Sequence, residues 1–140
     1  MKKLLLILIC LFVSFEVKSV STTKHEWTFH GKNGDLVIYV DYKNVETRNG
    51  FVYWYLLTNT ESFSEGKSRI EYKKGDCGDM KYKILTTFVY SKINGKGVMM
   101  RSYPPSERKR GWEFVVPGSN GEYELKKVCD VSSKKRSKDN

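Results

Sequence analysis

The stretch WEFVVPGSNGEYELKKVC, residues 112–129, decides the fold of this chain, because it holds a strand, a turn, a capped helix and a cysteine within eighteen residues. Trp112, Phe114 and Val116 alternate with Glu113 and Val115, which predicts a strand with one more apolar face, and Pro117-Gly118 ends it. Ser119 followed by Glu122 predicts a capping box, in which the hydroxyl accepts the Glu122 amide and the carboxylate accepts the Ser119 amide. Leu125, Val128 and Cys129 then share one helix face at spacings of three and four. That face is expected to pack on a sheet.

Upstream of this stretch, short apolar runs are separated by turn residues, with no internal repeat and no long helical periodicity. Strands are expected near residues 26–30, 36–42, 51–58, 67–74, 81–91, 98–103 and 112–116. The fold class is therefore α+β: an antiparallel meander of about six to seven strands followed by one helix. FVYWYLLT, residues 51–58, is apolar on both sides and so belongs in the middle of the sheet. In residues 67–74, Ile70 and Tyr72 point one way while Arg69, Glu71 and Lys73 point toward solvent. The long strand at 81–91 is expected to carry Tyr82, Ile84, Thr86, Phe88 and Tyr90 on one side.

Both ends of the chain differ from this body. Residues 1–19 open with Lys2-Lys3, continue through an apolar core and end in a small residue, the pattern of a secretory signal cleaved after Ser19. The core of about twelve residues is short of the roughly 20 that a spanning helix needs, so no membrane segment is expected after cleavage. Cys10 is preceded by the bulky Ile9, which argues against lipid attachment. Domain limits follow as 1–19 for the signal, 20–130 for the folded unit and 131–140 for a basic tail. The formal charge is +9, of which the signal holds +2 and the tail +3, leaving a mildly basic body at +4. VSSKKRSKDN, with one apolar residue, is expected to be disordered. It is either a solvated tail or a weak attractor of anionic lipid, lipopolysaccharide, glycan or nucleic acid.

Cys77 and Cys129 are the only cysteines left once the signal is removed, in a chain sent to an oxidising compartment, and a disulfide between them is expected. Closing a loop of about fifty residues is worth roughly 4 kcal/mol in the chain-entropy treatment.

Residues fit for chemistry are sparse. His25 and His30, five apart, fall on opposite faces of a strand, and the carboxylates show no acid–base spacing, so no catalytic residue, metal or cofactor is assigned. Binding has two candidates. Tyr53, Trp54 and Tyr55 are consecutive aromatics, read either as core or dimer packing or as a ligand platform. Arg108, Lys109 and Arg110, beside Trp112, form either a solvated hairpin loop or an anion site.

Trp27, LVIYVD, FVYWYLLTN, SRIEY, Asp76-Cys77, YKILTTFVYS, GKG and the W-x4-PGS-x2-E segment leading to Cys129 together resemble the surface-adhesin protein E family over about residues 27–130. The resemblance implies a bent antiparallel sheet with the C-terminal helix on its concave face, tethered by the disulfide. It also implies an exported protein of the periplasm or outer surface of a Gram-negative-type bacterium, binding host matrix proteins or anionic glycan, with no nucleic-acid partner expected and a homodimer as one arrangement. An exported non-catalytic binding protein is the leading functional class; a periplasmic accessory module and a periplasmic hydrolase are the alternatives.

Overall fold

The computed structural model describes residues 24–103 and 111–138. The proposed signal and the Arg108, Lys109, Arg110 cluster lie outside these residues. In chain order the elements are β1 (Thr28–Asn33), β2 (Leu36–Val40), β3 (Glu46–Arg48), β4 (Phe51–Asn59), β5 (Ser68–Asp76), β6 (Lys81–Tyr90), a 3₁₀ turn (Ile93–Gly95), β7 (Met99–Tyr103), β8 (Glu113–Phe114) and α1 (Asn120–Arg136). All pairings are antiparallel, and the order is β1-β2-β4-β5-β6-β7. Two short strands share positions already counted. β3 lies beside the start of β4, whose end carries β2, and β8 lies beside the start of β6, whose end carries β7. Eight segments thus occupy six places in a curled meander, with β4 central as its two apolar faces predict.

Cross-strand partners share a face of the sheet, and α1 covers one face over part of its length. Val40, Tyr42, Val45, Val52, Trp54 and Leu56 meet Leu125 and Val128 of the helix there. Gly75 allows this approach: a Cβ at that position would sit 2.7 Å from Leu125 Cδ1 and 2.8 Å from Trp54 Cζ3. On the opposite face, the 3₁₀ turn closes a smaller pack around Leu57 and Ile70. Asn59 Nδ2 donates to Asn94 Oδ1 at 2.7 Å, and the Asn94 amide donates back to Asn59 Oδ1 at 2.8 Å. Ser68 Oγ donates to the Lys92 carbonyl at 2.6 Å and accepts the Gly95 amide at 3.0 Å.

Four expectations are corrected. First, Lys73 does not meet solvent: it shares a face with Trp54, its cross-strand partner, and lies buried under α1. The sheet buries its helix side at one end of β5 and its other side at the Ser68–Ile70 end, so polarity alone misassigns the wet face. Second, β6 does not hold one side throughout. The register steps from Tyr72 opposite Thr86 to Lys73 opposite Ile84, leaving Leu85 as an extra residue. This bulge turns Tyr82 and Ile84 to the helix side and Thr86, Phe88 and Tyr90 to the other. Third, Trp112, Phe114 and Val116 do not form a core face. Phe114 and Val116 are 71% and 67% exposed, while the intervening Val115 packs on the core. Fourth, the helix does not stop near Asp130 but runs to Arg136. Ser132 is buried and Lys135 Nζ donates to the carbonyls of Lys43 and Val45 at 2.6 and 3.0 Å, so the 131–136 part of the basic segment is helical. Its cations also lie at the negative end of the helix dipole.

The helix start forms as predicted in one half. The Glu122 amide donates to Ser119 Oγ at 3.2 Å, but the Glu122 carboxylate takes the Gly118 amide, at 2.8 Å, while the Ser119 amide bonds to the Val116 carbonyl. Cys77 and Cys129 are bonded, with Cα atoms 6.0 Å apart, and this ties α1 to the end of β5.

Candidate functional site

Two arrangements stand out, one on each side of the sheet. Under the helix, Glu124 accepts from Trp54 Nε1 at 2.6 Å and from Lys73 Nζ at 3.1 Å. Glu71 lies 3.7 Å from the same ammonium, and the ring of Tyr82 is 4.7 Å away. Burial disfavours the charged lysine, but Glu124 and Glu71 outweigh it and hold Lys73 above the ordinary lysine value. Burial likewise pushes the Tyr42 and Tyr82 phenols upward. The cluster is enclosed and satisfied, which suits it to seating the helix.

The open face is different. Alternation on β4 sends Tyr53 and Tyr55 away from the helix, and register places Tyr72 of β5 directly opposite Tyr55. Their rings stack at 4.6 Å, and Tyr72 stacks with Tyr53 at 6.0 Å. At one end the row continues into His25, 4.6 Å from Tyr55, and Trp27, 4.7 Å from His25. At the other, Phe51 packs on Trp112 at 5.6 Å. Cations are threaded through it: Arg48 sits 4.0 Å over Tyr53 and donates to the Tyr72 hydroxyl, and Lys74 sits 3.8 Å over Phe51. Lys74, Lys81 and Lys83 lie 5.7, 5.4 and 5.3 Å from the centre of the Trp112 ring. Burial raises Tyr55 and Tyr72 above the usual phenol range, so both present neutral hydroxyls.

The histidines have fixed structural partners. His25 Nδ1–H donates to Asp41 Oδ2 at 2.9 Å, and Asp41 also accepts from the Asn44 amide and side chain at 3.2 and 2.8 Å. With one ring face on Trp27 and the edge of Tyr55 beside it, this dyad anchors the N-terminal segment to the sheet. His30 sits on the helix side, sharing a 2.8 Å hydrogen bond with Tyr42 and stacking on Tyr123.

Of the aromatic triplet, Tyr53 and Tyr55 belong to the open face, whereas Trp54 is 1% exposed and forms the core. Phe51 joins that face by the same alternation on β4 and Arg48 by the adjoining β3–β4 hairpin, whereas Tyr72, Lys74, Lys83 and Trp112 come to it from more distant parts of the chain. Trp112 beside a basic cluster was legible in the sequence, but the cations that surround it here come from β5 and β6.

The profile of the family described as Surface-adhesin protein E matches residues 27–130. A search of curated proteins finds no match. Among solved structures, the chain is similar to crystal form II of Haemophilus influenzae protein E, with a TM-score of 0.59 and 16% identity over 79% of this chain and 91% of that one. A second structure of Haemophilus influenzae protein E aligns with a TM-score of 0.58 and 16% identity over 79% and 89%. Protein E from non-typeable Haemophilus influenzae aligns with a TM-score of 0.55 and 16% identity over 82% and 87%. At that identity the structural likeness is one of fold, a curled sheet with one C-terminal helix. Family membership rests on the profile, and its reach from Trp27 to Asp130 spans the sheet, the disulfide and most of the helix: the chain belongs to the surface-adhesin protein E family.

Proposed function

We propose that this chain is an exported, non-catalytic adhesive protein that contacts extracellular macromolecules through the open face of its sheet. The observation that carries the reading is the pair of aromatic stacks, Trp27–His25–Tyr55–Tyr72–Tyr53 and Phe51–Trp112, bridged by Lys74, which lies 5.7 Å from the Tyr53 ring and 3.8 Å from the Phe51 ring. Partly exposed aromatic side chains on a rigid support make effective contact surfaces, because they bring large area at small cost in conformational entropy, and arginine adds charge and planar hydrogen bonding. Family membership supports the same class, and the His25–Asp41 dyad is engaged in anchoring. Among the described residues no helix is long and apolar enough to cross a membrane.

Binding to an array of purified extracellular-matrix glycoproteins tests this, comparing the wild type with Tyr55→Ala/Tyr72→Ala. The expected result is saturable binding to at least one glycoprotein, weakened tenfold or more in the variant. Failure to bind any of them, or equal binding by a folded variant, contradicts the proposal.

A further inference from the structure

On β5 and β6, Lys74 stands directly opposite Lys83. Like charges in that position repel and destabilise a sheet. Lys81, next on the same face, is held by Asp76 at 3.9 Å and by Asp79. Lys74 and Lys83 have no carboxylate partner among the described residues; their ammonium groups lie 5.7 and 5.3 Å from the 36% exposed ring of Trp112, and Lys74 also lies over Phe51, which packs on that ring. Asp76, two residues from Lys74 on the same face, is paired with Lys81, and Glu113, next to Trp112 in sequence, is opposite Tyr82 and so belongs to the other side of the sheet. Among the described residues this is thus an unneutralised lysine pair against an indole, in which repulsion between the ammonium groups opposes their attraction to the Phe51 and Trp112 rings.

We infer that Lys74, Lys83 and Trp112 form a binding site for a sulfated polysaccharide, the lysines taking a sulfate ester and the indole stacking on the C–H face of the adjoining sugar. The inference rests on reading the open face as the contact surface and names a ligand class for it. Charge complementarity calls for an anionic group, and a single ammonium pair 5–6 Å from one ring suits an anion attached to a compact ring. A single-stranded nucleic acid is less well served. It needs several free ring faces in succession, whereas Arg48 covers Tyr53, Lys74 covers Phe51, and the tyrosines stack on one another.

The test uses the full mature chain with heparin, fully desulfated heparin and a thymidine oligonucleotide, titrated calorimetrically at two salt concentrations. Heparin is expected to bind, the desulfated chain to lose at least tenfold in affinity, and higher salt to weaken binding. Lys74→Gln/Lys83→Gln should lose tenfold or more with little change in melting temperature, since relief of repulsion offsets the lost contacts with the Phe51 and Trp112 rings, and Trp112→Ala should lose a further severalfold. Heparin binding unchanged in the lysine variant overturns the site. So does its loss in Lys134→Gln/Lys138→Gln instead, which would move the site to the end of α1. Oligonucleotide binding tighter than heparin overturns the ligand class. Matrix-glycoprotein binding that persists while heparin fails to bind would sink this inference alone and leave the open-face reading intact.

Discussion

The Lys73 ammonium lies 3.1 Å from the Glu124 carboxylate beneath the C-terminal helix, with both side chains buried. Glu124 is the fixed point of that contact, since it also holds the indole of Trp54, so the helix is located on the sheet by polar geometry as well as by Leu125 and Val128. Nonpolar packing alone would tolerate sliding; a carboxylate shared between two donors on adjacent strands does not.

Removing one partner should therefore be costly. Glu124→Ala leaves a buried ammonium facing only Glu71 and the Trp54 indole without its acceptor, and a loss of about 3–5 kcal/mol is expected, with Lys73→Met/Glu124→Leu recovering the part due to the uncompensated charge. Urea denaturation of the three chains measures both. Since Lys73 is held above its ordinary value of 10.5, its contribution is complete below that pH and fades as pH rises through the folded value. Lys73→Met should lack this alkaline loss.

Gly75→Ala probes how closely the helix sits. The added methyl would meet the Leu125 and Trp54 side chains inside 3 Å, so these side chains, or the helix with them, must shift, at an expected cost of about 1–3 kcal/mol. Thermal denaturation of the variant would show it; unchanged stability would mean that the contact between Gly75 and the helix is looser than described.

Acid should loosen the start of the helix. Hydrogen bonds from Lys126 and from the Gly118 amide hold the Glu122 carboxyl below its ordinary 4.5, so its contribution is present above that pH and is lost as pH falls through the folded value. Glu122→Gln should give a lower plateau near neutrality and a shallower acid limb, followed by circular dichroism.

The disulfide contributes through the unfolded chain. Cys77→Ser/Cys129→Ser should cost about 2–5 kcal/mol, read from the denaturant midpoint, while leaving β4 and β5 paired.

Much of this architecture was legible in the sequence, and the reasons differ by element. β4 announced itself by apolar residues on both sides, and α1 by Ser119, Glu122 and the Leu125–Val128 spacing, because these signals are local. Glu124 was missed, although it stands one turn before Val128 on the apolar face, because a carboxylate there has meaning only once Lys73 is known to lie opposite. Lys73 itself was misread because alternation separates two faces without saying which is covered. The bulge at Leu85 leaves no local mark, so the sides of β6 could not be assigned from periodicity. The basic segment looked disordered by composition, and what orders residues 131–136 is Lys135 reaching the carbonyls of Lys43 and Val45, some ninety residues earlier.

The open face shows the same division. Tyr53 and Tyr55 were visible as adjacent candidates, yet Trp54 between them points to the core, as alternation on a strand requires. Tyr72, Lys74, Lys83 and Trp112 come together through register alone, which depends on pairings between β4, β5, β6 and β8.

The chain's three tryptophans allow one direct measurement of which face makes contact, because Trp27 and Trp112 lie on the open face and Trp54 lies under the helix. With 5-fluorotryptophan incorporated, fluorine NMR during titration with a heparin-derived oligosaccharide follows all three at once. The account predicts a progressive shift of the Trp112 resonance, a smaller one for Trp27, and a stationary Trp54. Movement of Trp54 with Trp112 and Trp27 unchanged would place the contact on the helix side and contradict it.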